Sequence, residues 1–286
     1  MSLIKFRSIP PARRSAPALV LAAAALALPA CGGGGGESKP TAASIEASGR
    51  GGDVEVKAPK SIKGGLVRLN FKNSSDGPRD AQLIRVVGDH SPQEFLEVVQ
   101  SEGGPIPEWI EDGGGVGTTA PGQTGWATQN LAEGRYFVVA MPEGEARPAT
   151  AELRVEGGSP GELPEAPGEI VARDYTFDAK GLKPGKNTIL FKNDGQQLHH
   201  VVGAPIRPGK TIDDIRKYAA QERPSGEPPL DQRSGFNTAV IDGGIEQVTE
   251  IDLKKPGKYA LLCFIQDRNG GPPHVMKGMI KEVEVQ

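Results

Sequence analysis

Phe71-Lys72-Asn73 and Phe191-Lys192-Asn193 each close a short apolar run, Leu69-Asn70 leading into the first and Ile189-Leu190 into the second, and they stand 120 residues apart. A match inside one chain points to duplication without reference to any other protein. Its neighbours keep the same register. Ser91 and Glu94 form a capping-box pattern with Pro92 at the first helical position, and Thr211 and Asp214 hold the same places before Ile215. Further on, Gly134-Arg135-Tyr136-Phe137-Val138-Val139-Ala140 matches Gly257-Lys258-Tyr259-Ala260-Leu261-Leu262-Cys263, the offset having grown to 123 by insertions. The stretch from Gly157 to Pro164 has no apolar period and reads as a linker. Two domains are therefore expected, residues 49–156 and 167–286, joined by a linker at 157–166.

Composition allows this. Hydrophobic residues are 37% of the 286, enough for packed cores, and 39 Gly with 25 Pro suit a chain of short strands and many turns. Wholesale disorder and a helical bundle are excluded. The net charge is −3 with Lys and Arg scattered, so the basic stripe needed for nucleic acid is missing and no nucleic-acid partner is expected. Residues 1–30 read as an address: Lys5, Arg7, Arg13 and Arg14 make a positive head, and Ala16 to Ala30 an apolar run too short for a membrane span. The run ends in Leu28-Pro29-Ala30-Cys31, which resembles the bacterial lipobox. That resemblance implies a lipid on Cys31, an extracytoplasmic protein anchored to the bacterial cell membrane, and a flexible tether over residues 31–48 that begins with Gly32 to Gly36.

Strand signals in the second copy fall at Glu169 to Arg173, Asn187 to Lys192, His199 to Val202, Val248 to Leu253, Tyr259 to Ile265 and Met279 to Val285. In the first copy they fall at Asp53 to Lys57, Leu66 to Phe71, Ala81 to Val87, Arg135 to Met141 and Ala151 to Val155. The expected class is all-β: two tandem antiparallel β-sandwiches, each with one short helix. Gly113-Gly114-Gly115-Val116-Gly117 lacks the Lys-Ser/Thr of a phosphate loop and is expected to be a flexible loop. Trp109 and Trp126 are expected to serve packing.

Residues with metal-binding chemistry concentrate in the second copy. Three of the four His, two of the four Met and the Cys beyond the lipobox lie between His199 and Met279. Once Cys31 is acylated Cys263 has no disulfide partner, and alternation along Tyr259 to Cys263 puts it on the face of Tyr259 and Leu261. Asn269-Gly270-Gly271-Pro272-Pro273 can turn the chain back, so that His274 and Met279 meet the strand end.

The order His199, Cys263, His274, Met279 in a small β-sandwich resembles the cupredoxins, the blue (type 1) copper proteins, over residues 167–286. The resemblance implies a cupredoxin-like fold, copper as cofactor, an early His on a strand, and Cys, His and Met near the loop between the last two strands. The spacing from His274 to Met279 and the Gly278-Met279 pair match the plastocyanin pattern. Thiolate, two imidazoles and a weak thioether suit both copper oxidation states. His200 is the alternative to His199, because adjacent strand residues face opposite ways, and Met276 is the alternative to Met279. The ten residues between Cys263 and His274 exceed the family's usual loop; such a loop can fold out as a flap while its ends meet at the metal, and it can equally mark a site that no longer holds copper.

The first copy carries Arg79 in place of His199 and Ala140 in place of Cys263, so it reads as a degenerate cupredoxin-like domain without metal ligands. Leu262 and Phe264 flank Cys263, whereas multicopper oxidases place His on both sides, and no hydrolytic set stands out. The chain is thus expected to be an electron carrier working with a redox protein, and not an enzyme. The alternative is a copper-free β-sandwich binding module.

Overall fold

The computed structural model describes residues 39–100, 104–140, 148–221 and 225–286. Residues 1–30, read as an address, and Cys31, read as the lipidated residue, lie outside the described residues. The first domain contains β1 Thr41–Arg50, β2 Asp53–Lys57, β3 Ser61–Lys63, β4 Gly65–Ser75, β5 Arg79–Val86, α1 Pro92–Gln100, β6 Ile110–Thr119, β7 Thr124–Leu131, β8 Gly134–Ala140 and β9 Ala149–Glu156. The second contains β10 Gly168–Arg173, β11 Thr176–Lys180, β12 Gly185–Asn193, β13 Val202–Pro205, α2 Ile212–Ala219, β14 Phe236–Asn237, β15 Glu246–Leu253, β16 Gly257–Leu262 and β17 Ile280–Val285. Pairing repeats element by element. β4 lies between β1 and β7 as β12 lies between β10 and β15, and β8 lies between β5 and β9 as β16 lies between β13 and β17.

The repeated sequence motifs build the same corner twice. Asn73 donates its side-chain amide to the carbonyls of Gly77 and Thr119, both at 2.8 Å, and Asn193 donates to Gln197 (2.7 Å) and Ile241 (3.0 Å). Tyr136 and Tyr259 each donate their hydroxyl to the carbonyl four residues back, Ala132 and Lys255, at 3.0 Å. Both helices begin with a capping box. The hydroxyls of Ser91 and Thr211 accept from the backbone of Glu94 and Asp214, whose carboxylates accept in return.

Each helix covers the outer face of a sheet, which explains why the last core strands read as unbroken apolar runs. Tyr136, Val138 and Ala140 of β8 face the first core while Phe137 stacks on Phe95 of α1 at 4.2 Å. Tyr259, Leu261 and Cys263 face the second core, and Ala260 and Leu262 pack with Ile215 of α2.

Four expectations are corrected. The sandwiches are mixed, not purely antiparallel, since β1 pairs parallel with β4, β10 with β12 and β3 with β9. The cause is topological: the hairpin β1–β2 returns the chain to the end where β1 began, so β4 must run the same way, and β10, β11 and β12 repeat this. Among the described residues the first strand begins at Thr41, inside the segment read as tether, because Ala43, Ile45 and Ala47 alternate inward with more exposed Ser44, Glu46 and Ser48. Gly113 to Gly117 is not a flexible loop but part of β6. A side chain on Gly115 would meet the carbonyl of Ala81, and one on Gly117 that of Asn237 in the second domain, so these glycines serve close backbone approach. Finally, β13 begins at Val202, and His199 forms a single bridge with Ile241.

The domains are joined edge to edge. β7 and β15 pair antiparallel through Gln129↔Gln247, Thr128↔Val248 and Ala127↔Thr249, which makes one eight-stranded sheet across the chain.

The two asparagine corners give a test. Asn73→Ala and Asn193→Ala each strip two carbonyls of their donor and should each cost roughly 1–3 kcal/mol in urea unfolding. A variant as stable as the parent would mean its corner holds nothing together.

Candidate metal centre

Three elements bring the candidate ligands together. His199 is fixed by exchanging both backbone hydrogen bonds with Ile241, at 3.0 and 2.9 Å. Cys263 directly follows β16 and continues its alternation into the core. His274 opens a 3-10 turn, His274–Lys277, on the far side of the ten-residue loop. The ends of that loop are stitched together: His274 N–H donates to Ile265 O at 2.8 Å and Val275 N–H to Cys263 O at 2.7 Å. The excess length therefore folds outward and leaves the ligand positions adjacent.

The donor atoms face one another. Cys263 Sγ lies 3.7 Å from His199 Nδ1 and 3.5 Å from His274 Nδ1, and the two Nδ1 atoms are 3.1 Å apart. A point equidistant from all three is about 2.0 Å from each, which is metal–imidazole bonding distance and a little inside metal–thiolate distance. All three residues are fully buried.

Each imidazole is oriented by its own carboxylate. His199 Nε2 lies 3.2 Å from Asp174 Oδ1, and His274 Nε2 lies 2.9 Å from Asp267 Oδ1. This pairing puts the proton on Nε2 and leaves the Nδ1 lone pair for a metal. Asp174 also accepts from the backbone of Gln196 and Gln197, both at 3.0 Å. Asp267 also takes the Tyr175 hydroxyl at 3.1 Å and pairs with Lys277. Burial works to raise both carboxyls, but these hydrogen bonds outweigh it and hold both below the usual carboxylate range. Burial pushes the Cys263 thiol up to about 12 and His199 down to about 4, and it lowers His274 against the opposing pull of Asp267. The donors are thus neutral at pH 7 until a cation arrives, and a cation would displace the thiol proton.

The other candidates differ in placement. His200 points away from the three donors and accepts the Phe264 backbone N–H at Nε2, 3.0 Å away. Met279 is fully buried in the same core cluster as Cys263, and its N–H donates to His274 O at 2.9 Å. Met276 is 52% exposed. In the first domain Arg79 pairs with Thr119 as His199 pairs with Ile241, and Ala140 ends β8.

The sequence reading missed Asp174 and Tyr175, although one signal was available. The β1–β2 turn is Gly51-Gly52, and the corresponding β10–β11 turn is Asp174-Tyr175. Tyr175 takes φ 67°, a left-handed conformation that costs about 1 kcal/mol or more outside glycine. Its ring meets His274 edge-on at 5.2 Å. The strained turn places one residue on each histidine.

No protein-family model matches the chain, and no curated protein matches it in sequence. Among solved structures, the chain is similar to an auracyanin from the photosynthetic bacterium Roseiflexus castenholzii, with 23% identity over 41% of this chain and 94% of that one and a TM-score of 0.27. It is also similar to a multicopper oxidase (16% identity, 87% of this chain and 88% of that one, TM-score 0.23). A third is the copper nitrite reductase from Nitrosomonas europaea (13% identity, 87% of this chain and 94% of that one, TM-score 0.24). The functional reading rests on the site itself, whose His-Cys-His donors suit a copper ion of the type 1 kind.

Metal-free protein should reveal the buried imidazoles through its acid stability. His199 and His200, held down by burial to about 4 and about 3 from 6.5, bind protons more readily in the unfolded chain. Stability should therefore be full above pH 6.5 and fall as pH drops towards 4, by about 1.4 kcal/mol per pH unit for each histidine. Urea unfolding across that range measures the slope, and a flat profile would mean that both rings are solvated.

Proposed function

We propose that the chain is an extracytoplasmic copper protein that carries single electrons, tethered to the membrane by a lipid on Cys31. One observation carries the copper reading: two Nδ1 atoms and one thiol sulfur, all buried, face a common point, and each imidazole is backed by a carboxylate. His199 and His274 would hold the ion through Nδ1 and Cys263 through Sγ. Met279, fully buried in the same core cluster as Cys263, would be the weak fourth ligand in this reading. A copper ion held by these residues would supply one-electron redox chemistry.

The protein's own groups prepare that cycle. Asp174 and Asp267 fix both rings and both tautomers. The core around Cys263 excludes water. The stitched loop holds Cys263 and His274 next to each other. Leu262 and Phe264 beside the cysteine offer no imidazole to pass electrons to further coppers, which favours a carrier over an oxidase. Membrane tethering rests on the basic head, the apolar run and the lipobox-like Leu28-Pro29-Ala30-Cys31.

Adding stoichiometric Cu(II) to the protein should give an intense visible thiolate-to-copper band and a type 1 EPR signal, both absent in Cys263→Ser. His199→Ala should lose the band, while His200→Ala should keep it. No band in the parent would leave the copper-free binding module as the better reading. Separately, Cys31→Ser should release the protein from membranes on cell fractionation, and unchanged retention would refute the lipid anchor.

A further inference from the structure

The loop between Cys263 and His274 does not hang free; it is docked on the first domain. The Gln266 side chain donates to Gly104 O at 2.8 Å, and Ile106 N–H donates to Arg268 O at 2.7 Å. Arg268 then reaches across. Its Nη1 donates to Pro107 O (3.3 Å) and Ile110 O (3.0 Å), and its Nη2 pairs with Asp242. Its own backbone N–H donates to Gln197 Oε1 at 3.1 Å. Only about a fifth of the side chain is exposed.

These partners bear on both histidines. Asp242 follows Ile241, whose backbone fixes His199, and Asp267, which orients His274, immediately precedes Arg268. The segment before Asp242 is held from the first domain as well. The Gln82 side chain accepts from Val240 N–H (2.8 Å) and donates to Val240 O (2.9 Å), as a neighbouring strand would. Asp242 N–H donates to Asp112 O at 2.9 Å, and Asp112 N–H to Asp242 Oδ2 at 3.3 Å. The two ligand-bearing segments of the second domain therefore rest on one face of the first, with the Arg268 guanidinium spanning them.

We propose that the first domain is a built-in clamp on the metal loop and that Arg268 is its positioning residue. The part of this that concerns copper rests on the function proposed above; the docking of the loop does not. A loop of this length would sample many conformations if it were free, and ordering it costs entropy each time the site must form. The planar guanidinium suits the task because its fixed fork can meet two carbonyls and a carboxylate at once, whereas an ammonium cannot span the same set. The clamp gives the domain without ligands a role at the site and explains how a long loop can hold its two ends still.

The test uses the full chain as parent, Arg268→Ala, Arg268→Lys and Asp242→Asn. In the metal-free proteins, amide hydrogen exchange across residues 264–273 should be about tenfold faster or more in Arg268→Ala while β12 keeps its protection. Copper-loaded Arg268→Ala should retain the thiolate band with an altered EPR line shape and release copper to a chelator about 10–100-fold faster, the range seen when partners behind a ligand are removed. Arg268→Lys should recover only part of the loss. If Arg268→Ala fails to fold, Asp242→Asn, which keeps an amide oxygen for the backbone donors and removes the charge that faces Arg268, should still speed loop exchange. Parental exchange in the loop in whichever of these variants folds would overturn the clamp. A parent without a copper band would sink the copper reading, and the exchange data would still decide the clamp.

Discussion

The strand Gly257–Leu262 has protein on both sides, and the metal centre depends on that. With Tyr259 and Leu261 turned into the sandwich and Ala260 and Leu262 against the helix layer, period-two alternation leaves Cys263 no choice but to enter the core. A thiol in that position is dry, hard to ionise and inaccessible to a disulfide partner. The surrounding structure then brings nitrogen to the sulfur from two directions: His199 through its pairing with Ile241, and His274 through a turn whose first bonds close on the strand end itself.

Duplication has separated support from chemistry. The Asn73 and Asn193 corners, the two tyrosine bonds and the two capping boxes are the same structure made twice, and they fix where strands end. On that shared frame the second copy replaces Gly51-Gly52 by Asp174-Tyr175, Arg79 by His199 and Ala140 by Cys263. The first copy keeps the frame without the donors, and its β5 and β6 face the segments that carry those donors in the second. The edge-to-edge pairing of β7 with β15 makes the relation rigid, because a continuous sheet resists the hinge motion that a flexible linker would allow.

Much of the molecule was legible in the residues, for reasons that can be named. The duplication, the two helix starts and most core strands follow from local patterns: capping chemistry acts over three residues and strand alternation over two. Ligand types were legible too, since His, Cys and Met cluster in one copy. What escaped was set by proximity between distant segments. The segment 41–48 looked like tether because two of its three inward residues are alanines, and only its pairing with β4 and the burial of Ala43, Ile45 and Ala47 show a strand. The β6 glycines looked like a flexible loop because their role, to let the backbone of Ala81 meet Gly115 and that of Asn237 in the other domain meet Gly117, has no local mark. Asp174 is 25 residues from the histidine it orients, a distance over which no periodicity applies.

The sequence by itself determined a duplicated all-β chain, a cysteine driven into a core and a set of soft and borderline donors in one copy, because these follow from composition and short-range period. It left open which of His199 and His200 faces the sulfur, and whether ten residues could still bring Cys263 to His274. Tertiary structure decided both. His199 turns inward because Ile241 pairs with it, His200 is occupied by the backbone of Phe264, and the loop ends meet through two backbone bonds while Arg268 anchors the excess on the neighbouring domain. Hydrogen bonds and ion pairs between segments far apart in the chain exist only after folding has placed those segments side by side.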